Sequence, residues 1–185
     1  MKYCNQCGGT VELRIPAGDS RERFVCVTCE VIHYQNPKMV AGCVANYQGK
    51  ILLCKRAIEP RSGYWTIPAG FMENEESLPQ AAARECMEEA LASVEIQSLL
   101  AVVSLPYAHQ VHIMFRAHLA EPIFGVGEES LEVGLYDPDD IPWADLAFPS
   151  VEYALRQYLA DQAAGVQNVH ITDIDRPAWR KSTII

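Results

Sequence analysis

Two cysteine pairs with the same internal spacing constrain this chain more than any other feature. Cys4-Asn5-Gln6-Cys7 and Cys26-Val27-Thr28-Cys29 stand about twenty residues apart in a sequence of 185 residues with seven cysteines. The segment they bracket, residues 1 to about 36, is too short to bury a core that would keep it folded unaided. Two pairs at this spacing can close a tetrahedral site of four sulfurs, which suits Zn²⁺. With protein groups at all four positions, such an ion is a structural clip that leaves no open position for catalysis. The alternative is four unconnected thiols; a redox role fits less well, because neither pair opens a helix in a βαβ setting. Cys43, Cys54 and Cys86 lie among apolar neighbours and read as small core residues.

From Lys38 the pattern becomes that of a larger mixed domain. Lys38 to Tyr47 and Lys50 to Arg56 are β-rich apolar runs joined by Gln48-Gly49, which predicts a hairpin. Glu59 to Asn74 reads as a loop, and Leu78 to Ala90 as a helix, with Ser77 as N-cap, Gln80 as its capping-box partner and Pro79 in the first turn. Val94 to Leu105, Gln110 to Leu119 and Leu131 to Tyr136 read as further strands, and Val151 to Asp161 as a second amphipathic helix. The expected divisions are a ribbon over 1–36, an α/β (α+β) domain over 37–162, and an arm or tail over 163–185.

Charge and hydropathy narrow the partners. Fifteen basic residues against 24 acidic ones give a net charge of −9, which disfavours a sequence-independent grip on nucleic acid. No apolar run reaches the roughly 18 residues of a membrane span. Met1-Lys2-Tyr3-Cys4 has no apolar stretch behind its basic residue, so no secretory signal is expected and the cytoplasm is the expected location.

The helix over Leu78 to Ala90 carries the chemistry. Leu78, Ala81, Ala82, Glu85, Glu88 and Glu89 follow the spacing of a buried stripe, apolar in its first half and acidic in its second. Two carboxylates about 4 Å apart repel by roughly 4 kcal/mol at an effective dielectric of 20. Three facing one cleft need protons or a cation, and oxygen-only ligands select hard ions such as Mg²⁺ or Mn²⁺. A solvated acidic face, with Arg84 as the i,i+4 partner of Glu88, is the plain alternative.

The residues before the helix extend the pattern: Gly70, then Glu76, then Arg84-Glu85-Cys86-Met87-Glu88-Glu89. This resembles the Nudix box, Gly-x5-Glu-x7-Arg-Glu-U-x-Glu-Glu-x-Gly-U, where U is a bulky apolar residue. Leu91 stands at the box glycine and Ala92 in the last U slot. That glycine usually makes a left-handed helix exit, so a longer or differently angled exit is expected. The cysteine segment, Tyr34 to Val40, Leu53-Cys54-Lys55-Arg56, Trp65 to Gly70, Glu129-Ser130-Leu131-Glu132 and Ile141 to Phe148 resemble the zinc-ribbon Nudix pyrophosphatases that act on FAD and ADP-ribose. Together they span roughly residues 3 to 160. The NADH pyrophosphatases of the superfamily carry a Ser-Gln-Pro-Trp-Pro-Phe-Pro-x-Ser signature, of which Ser104-Leu-Pro-Tyr-Ala-His109 keeps only Ser and Pro.

The resemblance implies an α/β/α sandwich with a mixed sheet. It also implies a metal-dependent hydrolase that cleaves the pyrophosphate of a nucleoside diphosphate linked to a second group. By the same resemblance, Glu85 and Glu89 are the main ligands of Mg²⁺ or Mn²⁺, with Glu88 and the Ala69 carbonyl completing the set. Arg84 orients a ligand carboxylate through a bidentate pair, and Glu76 either binds a second ion or holds the loop. Glu129 supplies a further carboxylate, with Glu132 in reserve, and Tyr64, Trp65 and Phe71 stack on an adenine or flavin ring unless packing claims them. Cys4, Cys7, Cys26 and Cys29 hold zinc, and a homodimer is the family's assembly. His109 and His112 form only a weak HxxH. NADH hydrolysis, cleansing of damaged nucleoside triphosphates, and a ligand-sensing or nucleic-acid-binding regulator are the competing functions.

Overall fold

The computed structural model describes residues 1–175. It divides into two compact units, Met1–Pro37 and Lys38–Ile185. The first is a three-stranded antiparallel sheet of β1 (Val11–Arg14), β2 (Arg23–Cys26) and β3 (Ile32–His33), in the order β1-β2-β3. Arg14 pairs with Arg23 and Val11 with Cys26, so the polar stretch between the strands is the hairpin connection. Val25, Cys26 and Cys4 are its buried apolar residues. That is too little core for an independent fold.

The second unit is built on one mixed sheet. Its strands are β4 (Lys38–Tyr47), β5 (Lys50–Arg56), β6 (Trp65–Thr66), β7 (Ala69–Phe71), β8 (Val94–Leu105), β9 (Gln110–Leu119), β10 (Ser130–Tyr136) and β11 (His170–Asp173). The order is β10-β5-β4-β9-β8-β11, with β6 on β5 and β7 on β4. The β4–β5 hairpin forms on Gln48 (φ 50°) and Gly49 (φ 88°), the doubly left-handed turn whose twist suits a two-residue loop. Two helices, α1 (Leu78–Ala90) and α2 (Pro149–Ala164), cover the two faces. Along β9 the side chains alternate: Ile113 and Phe115 pack with Ala81, Ala82 and Cys86 of α1, while Met114 packs with Val151, Ala154 and Leu155 of α2. Cys43 and Cys54 are buried under α1, and Cys86 is buried on the face of α1 that packs with them.

Three expectations need correction. The loop over Glu59 to Asn74 contains β6 and β7, strands of two and three residues held by pairing rather than by any pattern of their own. Residues 163–175 are no arm: α2 runs to Ala164, and β11 adds a parallel edge strand to β8. The rest of that expected tail, 176–185, lies outside the described residues. Asp161 holds the returning chain. It is buried and accepts from Arg116, from Asn168 N–H at 3.0 Å, and pairs with His170. Finally, the helix exit is neither longer nor redirected. Leu91 itself adopts the left-handed conformation (φ 49°, ψ 32°) and caps α1 at Ala90. Among the described residues no helix is long and apolar enough to cross a membrane.

Candidate active site

The first candidate site is the cysteine quartet. The sulfurs of Cys4, Cys7, Cys26 and Cys29 all lie within 4.8 Å of one another. Backbone N–H groups of Gln6, Gly9 and Thr28 point at the sulfurs of Cys4, Cys7 and Cys26, each at 3.4 Å. Donation from the Cys29 N–H, then from Thr28, holds the Cys26 thiol down at about 6. Four soft donors with one already biased towards thiolate fit a tetrahedral Zn²⁺.

The second lies where α1 meets β7. The capping box starts the helix, with Gln80 Oε1 accepting the Ser77 N–H at 2.8 Å. One turn further on, Ala81, Ala82 and Cys86 seat it on the sheet, which drives Glu85 and Glu89 inward; they are only 8% and 5% exposed. Glu88 is not on that buried stripe, because its side chain is 58% exposed and Cys86 takes the inward place. Gly70 passes so close to Glu85 that a Cβ there would overlap the carboxylate. Ala69 N–H donates to Glu89 Oε2 at 3.3 Å.

Burial pushes Glu89 up to about 8, and the neighbouring charge of Glu85 adds to it. Burial also raises Glu85, against the pull of Arg84. Glu129 raises both further, which places its charge near theirs. The loop that carries it is tied to the end of α1. Gly125 N–H donates to Ala90 O at 2.7 Å and Gly127 N–H to Glu89 O at 3.1 Å. A Cβ at Gly127 would overlap the Glu88 carbonyl, so this approach needs glycine.

Arg84 organises the acidic side chains. Its Nη1 donates to Glu85 at 2.7 Å and to Glu88 at 2.9 Å. Its bidentate partner is Glu76, reached by Nε at 3.0 Å and Nη2 at 2.8 Å. That pairing and the Glu73 N–H hold Glu76 down at about 2. Glu76 thus ties Arg84 to the loop at Glu73.

These groups open into a cleft of about 1030 Å³, lined by Ala69, Phe71, Arg84, Glu85, Glu88, Glu89 and Glu129 among others. Tyr64 and Trp65, expected to stack on a ring, do not line it. Trp65 is buried with its ring 5.1 Å from that of Tyr136, and Tyr64 lies under the Arg61 guanidinium at 3.4 Å. Glu132 is likewise elsewhere, 3.7 Å from Lys55. Arg56, Gln110, His112 and Phe148 line the cleft without having been assigned a role from sequence. Arg56 was legible as the cation ending β5, and its charge opposes the rise of the Glu89 pKa. His112 and Phe148 reach the cleft only because α2 packs across β9.

Two family models match the chain over residues 2–158. The one described as "NUDIX domain" matches residues 36–158 and the zinc-ribbon model described as "Nudix N-terminal" matches residues 2–35. An ADP-ribose pyrophosphatase from Methanocaldococcus jannaschii is 29% identical over 130 residues, which are 68% of this chain and 75% of that protein. An NAD-capped RNA hydrolase from Salmonella heidelberg is 32% identical over 149 residues, 76% of this chain. The match spans only 53% of that hydrolase. A crystal structure of a NUDIX hydrolase from Nitrosomonas europaea superposes with a TM-score of 0.92 at 51% identity, covering 95% of this chain and 100% of that one.

Proposed function

This chain belongs to the NUDIX family and is a Nudix pyrophosphohydrolase, and from that premise we propose that it cleaves the pyrophosphate of FAD or ADP-ribose with AMP as one product. The observation that carries the reading is the buried pair Glu85 and Glu89, raised in pKa with Glu129 nearby, opening into a cleft large enough for a dinucleotide. Carboxylates so placed gain from a hard divalent cation, and an all-oxygen donor set selects Mg²⁺ or Mn²⁺. Glu85 and Glu89 are the proposed main ligands, with Glu88, Glu129 and the Ala69 carbonyl completing the set. Cys4, Cys7, Cys26 and Cys29 are the proposed ligands of a structural zinc.

When bound, the ions neutralise the diphosphate and lower the pKa of an attacking water. The protein's own contribution is placement. Arg84 fixes Glu85 and Glu88 while Glu76 fixes Arg84, so the carboxylates that would hold the ions are set in place without reorganising. Arg56 supplies a cation on the same cleft wall. With a net charge of −9, the surface as a whole would not attract an anionic substrate, so the cations at the cleft, Arg56 and Arg84 and any bound metal, would have to.

The relatives that act on NAD-capped RNA support a second reading, NADH or an NAD cap as substrate. The test is kcat/KM for FAD, ADP-ribose, NADH and 8-oxo-dGTP side by side with Mg²⁺, with product identification. FAD or ADP-ribose is expected to lead. An excess of NADH or the triphosphate over both by more than about tenfold, roughly 1.4 kcal/mol, overturns the assignment.

A further inference from the structure

The cleft extends past its carboxylates in both directions along α1. Phe71 lies by the start of the acidic stretch, where its carbonyl accepts from Arg84 Nη2 at 3.0 Å. Leu91 caps the helix two turns beyond Arg84, about 10 Å further along the axis at a rise of about 1.5 Å per residue. Glu85 and Glu89 stand between. A dinucleotide whose diphosphate meets them therefore carries one of its end groups towards Phe71 and the other towards Leu91.

The Leu91 end is apolar and open to water. Met87 and Leu91, one turn apart, line the cleft together with Val126 and Ile58, and all four side chains are exposed. The main chain gathers them. The Gly125 and Gly127 N–H groups donate to Ala90 O and Glu89 O, which sets Val126 beside the helix end. Ala57 N–H donates to Glu129 O at 2.8 Å, which brings Ile58 to the same loop. Apolar side chains scattered singly over a surface are ordinary; four that meet at the mouth of one cleft form a lip. Leu91 carries a second mark. It stands where the box has glycine, holds a left-handed backbone that strains a leucine, and still leaves 51% of its surface exposed. Its contact with Gly125 covers only part of it, so burial within the protein does not offset the strain in full.

The chemistry of the lip defines its occupant. Three aliphatic side chains and a thioether offer dispersion contacts and a sulfur that favours aromatic rings, and none of them donates a hydrogen bond. A bare ribose gains little there, and the carboxylates of Glu88 and Glu128 on the same rim repel a further phosphate. We infer that Met87, Leu91, Val126 and Ile58 are specificity-determining residues that pack against the face of an aromatic ring joined to the diphosphate. This rests on the proposed pyrophosphatase reading and adds to it the place of one substrate ring.

Leu91→Asn keeps a residue that accepts the left-handed backbone, and Met87→Gln keeps length and helix propensity; each replaces apolar surface by an amide. In the full-length protein with Mg²⁺, each is expected to raise the KM for FAD at least fivefold. A smaller rise in either variant overturns the inference, and a lowered Tm with KM in place is the signature of a merely structural role. ADP-ribose identifies the ring. Its KM rises equally if the lip holds adenine, which both substrates carry, and stays in place if the lip holds flavin. Sedimentation that shows either variant losing an assembly present in wild type would make the lip a contact between copies, which also overturns the inference. A wild type that cleaves neither FAD nor ADP-ribose defeats the pyrophosphatase reading separately. If FAD is not cleaved, equilibrium binding of AMP and riboflavin 5′-phosphate with Mg²⁺ decides instead. One of them must bind the wild type at least fivefold more tightly than it binds either variant, and any other result overturns the inference.

Discussion

In the ribbon, four sulfurs already lie within 4.8 Å of one another, on a scaffold with almost no apolar core. In the larger unit, Glu85 and Glu89 sit on a helix seated by two extensive apolar clusters, and the guanidinium of Arg84 stands among the carboxylates. Among the described residues no acidic set converges as the cysteines do. One region has ligands and little else to hold it; the other has a complete scaffold on which charge has been buried at a cost. On the proposed reading, the first arrangement takes up a cation to fold and the second takes one up to meet a substrate.

The sharpest way to break this contrast is to remove one sulfur. Binding of structural zinc contributes on the order of 10 kcal/mol to folding small metal domains. Cys26→Ser is therefore expected to abolish amide-exchange protection in residues 1–37 while residues 38–175 keep theirs. Protection that survives in both would show that the ribbon does not depend on its thiols.

Acid probes the larger unit through His112. Its folded pKa of about 4 lies below the value of 6.5 that an exposed imidazole has. The unfolded chain then binds more protons between those values, so the stability contribution is complete above pH 6.5 and is lost as pH falls towards 4. Between pH 7 and pH 5 the loss is about 2 kcal/mol. Denaturant titrations of wild type and His112→Asn should diverge by that amount, and parallel curves would exclude the imidazole as the cause.

Smaller effects sharpen the role of Arg84 and of the helix exit. Glu76→Gln removes the charge that fixes Arg84 and should lower kcat/KM about tenfold, roughly 1.4 kcal/mol. An unchanged rate would make Glu76 a loop residue only. Leu91→Gly relieves a left-handed non-glycine residue that is half-exposed, and should stabilise the larger unit by about 0.5–1 kcal/mol in a urea titration. A loss of stability would mean that the packing of Leu91 on Gly125 outweighs the backbone strain.

Much of this was legible because it is local. The β4–β5 turn, the capping box and the spacing of Glu85 and Glu89 are each written within a few residues. Glu88 was misread because a stripe drawn from spacing alone could not tell that Cys86 would take the inward position. Tyr64 and Trp65 were offered to the cleft because an aromatic next to a box motif carries no mark of which way it faces. The strands β6, β7 and β11 escaped notice because they are two to four residues long and exist only through pairing. The contact between Ser150 and His112 could not be read at all, since it joins a strand and a helix 38 residues apart.

On the proposed reading, Glu89 serves a divalent cation and through it the diphosphate. This role is tested most directly by AMP release from ADP-ribose and FAD as Mg²⁺ is titrated into wild type and Glu89→Gln. Wild type is expected to be nearly inactive in chelator and to rise to saturation, while the variant stays about 10²–10³-fold lower or worse at every Mg²⁺ concentration. Near-normal turnover of Glu89→Gln at saturating Mg²⁺, or wild-type turnover that persists in chelator, would contradict it.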